Sequence, residues 1–270
     1  MTRAPGIVLA DTMTKLGPET NGAVVVSGSH GGRYCGYLAL RAQVRAVILN
    51  DAGGGKDNAG FASLVDVEVE GLAATTVSNQ SCRIGSAADM MARGIISHAN
   101  APARAVGVVA GMSGREAAER LRAAPHVTVT PKPVSEGRRI LSEHGWVRRI
   151  VLIDSASMIL PEDAGQIIVT ASHGALLGGN PAMALQADGY AGVFNDAGVG
   201  IDGWGITRLP ALDLRGLAGL TVSAETARIG DAQSAFDDGV ISHVNGVAAG
   251  RGARPGMALK AVLTGWAMRT

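Results

Sequence analysis

Short runs of apolar, β-branched residues, each closed by polar or glycine positions, recur along the whole chain. Residues 24–32 read VVVSGSHGG, and residues 167–175 read IIVTASHGA. Apolar runs of this length, bounded by turn residues, read as buried strands. GAVVVSGSHG, VRAVILNDAG, LAATTVS and GIISH give four such strands in the first half, and the run beginning IVLAD at Ile7 gives a fifth. Helical patterns lie between them. SAADMMARG stops at Gly94, and SGREAAERLRAA opens with Ser113 and Glu116 at N-cap and N3 spacing. Strands alternating with helices predict an α/β fold with a mainly parallel sheet covered on both faces.

The pattern occurs twice. Residues 7–31 lie over 150–174 without a gap, NDAGGGKDNAG (50–60) lies over NDAGVGIDGWG (195–205), and residues 71–100 lie over 216–245 with 15 of 30 positions identical. Such self-similarity predicts a tandem duplication. The expected organisation is an α/β repeat at 6–124, a connector at 125–148 without counterpart, and a second repeat at 149–268, the halves related by a pseudo-two-fold axis.

Composition narrows the classes. Hydrophobic residues make up 47% and charged residues 17% of 270, which describes a folded chain and not a disordered one. Net charge is +1 and no basic run occurs, so no nucleic-acid partner is expected. No apolar stretch approaches the roughly 18 residues of a membrane span, so no membrane partner is expected either. Two cysteines, Cys35 and Cys82, are too few for a disulfide framework and point to a cytoplasmic protein. Low charge and a mean hydropathy of +0.20 suggest a buried subunit interface, hence a homo-oligomer.

The polar residues shared by the repeats sit at predicted strand ends: Ser29-His30, Asn50-Asp51, Ser78 and Ser97-His98, matched by Ser172-His173, Asn195-Asp196, Ser223 and Ser242-His243. Carboxyl ends of parallel strands are where such sheets bind ligands. The same residue types also cap helices and close turns.

Candidate chemistry follows from these positions. His30 and His98 are candidate general bases and Asp51 an orienter, with His173, Asp196 and His243 their counterparts. Gly53 and Gly55 can fold a loop whose N–H groups face an anion. Arg83 and Arg228, each in an R-I-G string before a helix, suit a carboxylate or phosphate, or else pair with Asp11 or Asp154. Ser29, Asn50, Ser78 and Asn195 complete the expected substrate contacts. Cys82 has no counterpart, since Ala227 stands in its place. A Cys at a helix N-terminus beside Arg has a lowered pKa and is a good nucleophile. QSCRIG, with His30 about 50 residues upstream, resembles the Gln-Ala-Cys-Arg-Gly pattern of caspase-type enzymes over those few residues, which does not extend to membership of that family. His30, His98, Asp51 and Asp57 can alternatively hold a divalent metal ion.

These features predict an enzyme, a hydrolase first, acting on a small polar or anionic substrate. The nucleophile would be Cys82, a matched Ser or a metal-bound water. The alternatives are an isomerase or lyase with paired His/Asp acid–base groups, and a non-catalytic protein that binds a small anion.

Overall fold

The computed structural model describes residues 6–269. The apolar runs form strands where they were predicted: β1 (Ile7–Ala10), β2 (Val24–His30), β3 (Ala46–Asn50), β4 (Ala73–Val77) and β5 (Ile96–Ala99). They make one sheet in the order β1-β2-β3-β4-β5, parallel except for β5, which runs antiparallel to β4. The order steps one way, so right-handed crossovers put the connecting helices on one face. There α1 (Arg33–Arg41) and α2 (Ser63–Val69) bury Leu38, Leu64 and Val67 against Val25, Val47 and Leu49. The antiparallel return carries α3 (Ala87–Arg93), α4 (Ala101–Ala105) and α5 (Gly114–Leu121) to the other face, where Met90, Ala117 and Leu121 cover Val24, Val26 and Ile48. Ser113 caps α5 as its spacing predicted, accepting from the Glu116 N–H at 3.2 Å. Open α/β sheets form their ligand crevice where the strand order reverses. The parallel part of this sheet has no reversal.

The second half repeats the plan. β7 (Ile150–Ile153), β8 (Ile167–His173), β9 (Ala191–Asn195) and β10 (Ala218–Val222) are parallel, and β11 (Ile241–Val244) is antiparallel to β10. Even the irregularities recur: the register shifts between Val26 and His30 and between Val169 and His173, and again between Thr76/Val77 and Thr221/Val222. A sixth strand, β6 (Arg138–Leu141), pairs antiparallel with β7 and comes from the 125–148 stretch, which is therefore partly structural. On one face α6 (Arg208–Asp213) packs on Phe194 and Ile168. On the other, α7 (Ala232–Asp238), α8 (Gly246–Gly250) and α9 (Leu259–Met268) bury Phe236, Leu263 and Trp266.

The chain forms two compact units. The first comprises the chain up to Gly54, Asn58–Ser135 and Gly200–Asp202; the second comprises Gly55–Asp57, Glu136–Val199 and Gly203 onward. Each thus includes three loop residues from the other half of the sequence. Among the described residues no helix is long and apolar enough to cross a membrane.

Candidate functional site

Most of the shared polar residues hold backbone. Asp51 Oδ1 accepts from the N–H groups of Gly53 (3.0 Å) and Asn79 (2.9 Å), and Asp196 Oδ1 does the same for Gly198 and Ala224, both at 2.9 Å. Each Asp closes its own turn and ties the end of one strand to the loop after the next. Asn50 and Asn195 accept from Ala52 and Ala197 at 2.9 Å. Ser29 accepts from Met13 (3.0 Å) and Ser172 from Ala156 (2.9 Å), while Ser78 and Ser223 close turns onto Gln80 and Glu225 at 3.2 Å. Asn100 caps α4 through Ala103 and also accepts from Ala74.

In the glycine loop the N–H groups of Gly53, Gly54 and Lys56 are taken up within the protein. Gly53 bonds Asp51, Gly54 bonds the Asp51 carbonyl, and Lys56 bonds the Ala224 carbonyl. Ala52, Gly53, Gly54 and Gly55 all have positive φ, as do Ala197, Gly198, Val199 and Gly200. Val199, at 61°, is the most strained of these, because a β-branched residue rarely adopts that conformation. The last glycine of each motif is needed for close approach: a Cβ on Gly60 would stand 2.0 Å from the Asp51 carbonyl oxygen, and one on Gly205 would stand 2.1 Å from that of Asp196.

Arg83 and Arg228 pair with carboxylates, but with other ones than expected. Arg83 donates to Asp202 (2.9 Å) inside the first unit and Arg228 to Asp57 (2.6 Å) inside the second. Arg83 and Arg93 together hold the Asp202 carboxyl below the usual range. Asp11 and Asp154 instead accept from Ala87 and Ala232, the first residues of α3 and α7.

Cys82 departs from the nucleophile reading. α3 starts five residues later and is capped by Ser86, so the thiol does not face a helix N-terminus. It is fully buried, receives Asn50 Nδ2 at 3.7 Å and donates to the Ser78 carbonyl at 3.6 Å. Burial pushes its pKa up to about 12, the reverse of activation. The expected metal set fails as well: among the described residues no group of three His, Cys, Asp or Glu side chains is placed to hold a metal ion.

The histidines remain. His30, half-buried at the end of β2, accepts from the Gly32 N–H through Nδ1 at 3.0 Å. That bond fixes the tautomer with its proton on Nε2. Burial lowers its pKa to about 4, so at neutral pH it is an uncharged hydrogen-bond donor. A Cβ on Gly32 would lie 2.6 Å from this Nδ1 and 3.6 Å from the Ala59 carbonyl, which places the imidazole beside the Asn58–Phe61 segment. His98 is exposed on that same segment, stacked on Phe61 with ring centroids 4.0 Å apart, its Nδ1 3.3 Å from Thr76 Oγ1. In the second unit His173 is buried, and His243 is half-buried, its Nδ1 without a hydrogen-bond partner among the described residues. Phe61 and Thr76 escaped the sequence reading. Thr76 is identical in both repeats (Thr221) and lies opposite His98 in the antiparallel register, whereas Phe61 has only Ile206 as counterpart.

No family model, curated protein or solved structure compared with the chain matches it.

Proposed function

We propose that the protein is an enzyme that transfers protons on a small polar substrate, of the isomerase or lyase kind. The observation that carries this reading is His30, locked as a neutral Nε2–H donor beside the segment on which His98 is stacked and exposed. A neutral imidazole donor polarises a carbonyl or carboxyl oxygen without giving up its proton. His98 then takes or returns a proton at the adjacent carbon. The alternative, hydrolysis by a water that His98 deprotonates, rests on the exposure of that ring. A covalent route through Cys82 lacks support from a thiol with a pKa near 12.

The halves are read as products of a tandem duplication, supported by two sheets of matching order and matching register shifts. The homo-oligomer expectation finds support in Val69 and its counterpart Leu214, 82% and 90% exposed at the ends of α2 and α6. A monomer mass in light scattering contradicts it. Cys35 and Cys82, both buried and neither in a disulfide, are consistent with a cytoplasmic location.

The test is deuterium exchange. Small hydroxy, oxo and amino acids are incubated with the protein in D2O and followed by proton NMR. The reading predicts incorporation at one carbon of at least one compound, abolished in His98→Gln and strongly slowed in His30→Gln. Turnover without incorporation, or full exchange by both variants, overturns it.

A further inference from the structure

The second unit holds a cluster of arginines that the proposed reaction does not use. Most arginines elsewhere have a carboxylate: Arg33 with Asp66, Arg138 with Asp163, Arg215 with Asp188, Arg120 with Glu116. Arg148, Arg251, Arg254 and Arg269 make no ion pair among the described residues. Their recorded bonds run to carbonyls: Arg148 to Arg269, Arg251 to Tyr190, Arg254 to Ala249 and Ala253, and Arg269 to Arg251.

Three of these side chains are linked: Arg148 donates to the Arg269 carbonyl and Arg269 to that of Arg251, while Arg254 bonds only its own loop. Arg148 and Arg251 each stand 3.9 Å from the centroid of the Tyr190 ring, so the two cations lie within about 8 Å of each other. Trp266 packs edge-on against that ring at 5.9 Å and donates to the Arg251 carbonyl, which Arg269 shares. The cluster sits at the amino end of the second sheet, just before β7 and β9. Each guanidinium carries five N–H donors, and every recorded bond uses Nη1 alone. The Nε and Nη2 donors are left for a ligand. Clustered like charges repel one another, and an anion that bridges them relieves that repulsion. The planar forks match phosphate oxygens bidentately.

We propose that Arg148, Arg251 and Arg269 form a binding site for a small ligand bearing a diphosphate group. Inorganic pyrophosphate is the probe, titrated calorimetrically into the full chain at constant ionic strength, with tryptophan emission as a second signal because Trp266 adjoins Tyr190. The expected result is saturable binding at one site, with a change in emission. Arg148→Ala and Arg251→Lys, the latter retaining a cation over Tyr190, are each expected to weaken binding at least tenfold. Arg33→Ala, which lies in the first unit, is expected to bind as the parent does. The proposal is overturned if pyrophosphate gives no saturable heat, if sulfate at equal ionic strength gives the same response, or if Arg148→Ala and Arg251→Lys bind undiminished.

Discussion

Asp51 separates a structural account of the shared polar residues from a catalytic one. Its Oδ1 is the acceptor for two N–H groups, those of Gly53 and Asn79, and the side chain sits in a residue only 7% exposed. Asp51→Ala removes that acceptor from both. The Asn79 donor is buried and costs about 1–3 kcal/mol when unsatisfied, while Gly53 is exposed and loses only the net worth of a bond, about 0.5–1.5 kcal/mol, so the loss is about 1.5–4.5 kcal/mol. Asp51→Asn keeps an oxygen in place and gives up only the charge assistance, about 1 kcal/mol. Urea unfolding followed by far-UV circular dichroism measures both. With a slope of about 1–3 kcal/mol per molar, the alanine variant should lower the midpoint by about 1 M or more, and the asparagine variant by clearly less. Amide exchange at Gly53 and Asn79 should quicken in the alanine variant alone. A stability change below about 0.5 kcal/mol for Asp51→Ala would refute the assignment of this residue to the frame.

Acid should reveal two opposed groups. His30, with its pKa lowered to about 4, destabilises the fold as pH falls from its ordinary 6.5, because the unfolded chain binds the proton first; the full effect is at most about 3 kcal/mol. Glu136 acts in the opposite sense. Burial, with Asp154 adding to it, raises its pKa to about 7, so its stabilisation is present below 4.5 and is lost as pH rises through about 7. Glu136→Gln should therefore steepen the loss of stability between pH 7 and 4, and an unchanged pH profile in that variant would count against the Glu136 assignment. Cys82 should resist a thiol reagent in the native protein at pH 8 and react fully in denaturant; rapid native labelling would restore it as a nucleophile.

The strands were legible because each is a β-branched run ended by turn residues, and the carboxyl ends of β2, β3 and β4 and of β8, β9 and β10 fall at the predicted polar positions, whereas Ser97-His98 and Ser242-His243 lie inside the antiparallel β5 and β11. The direction of β5 was not legible, since a local pattern carries no direction; the pairing of Thr76 with His98 sets it. The role of the shared polar residues was half legible. Asp51 bonding Gly53 two residues on is a local turn that its type announces, but the bond to Asn79, 28 residues away, depends on β4 lying beside β3. Cys82 misled because adjacency to Arg in sequence implies activation, whereas the fold surrounds the sulfur with protein and begins α3 farther on. The arginines of the second unit gave no signal, as residues 148, 251 and 269 become neighbours only through Tyr190 and the α9 terminus.

The account turns on the state of His30, and nitrogen-15 NMR of the imidazoles across pH 4–8 measures it directly. The prediction is a neutral ring with its proton on Nε2 and Nδ1 bare, unchanged until the pH nears 4. A ring that carries its proton on Nδ1, or that titrates near 6.5, would contradict the account.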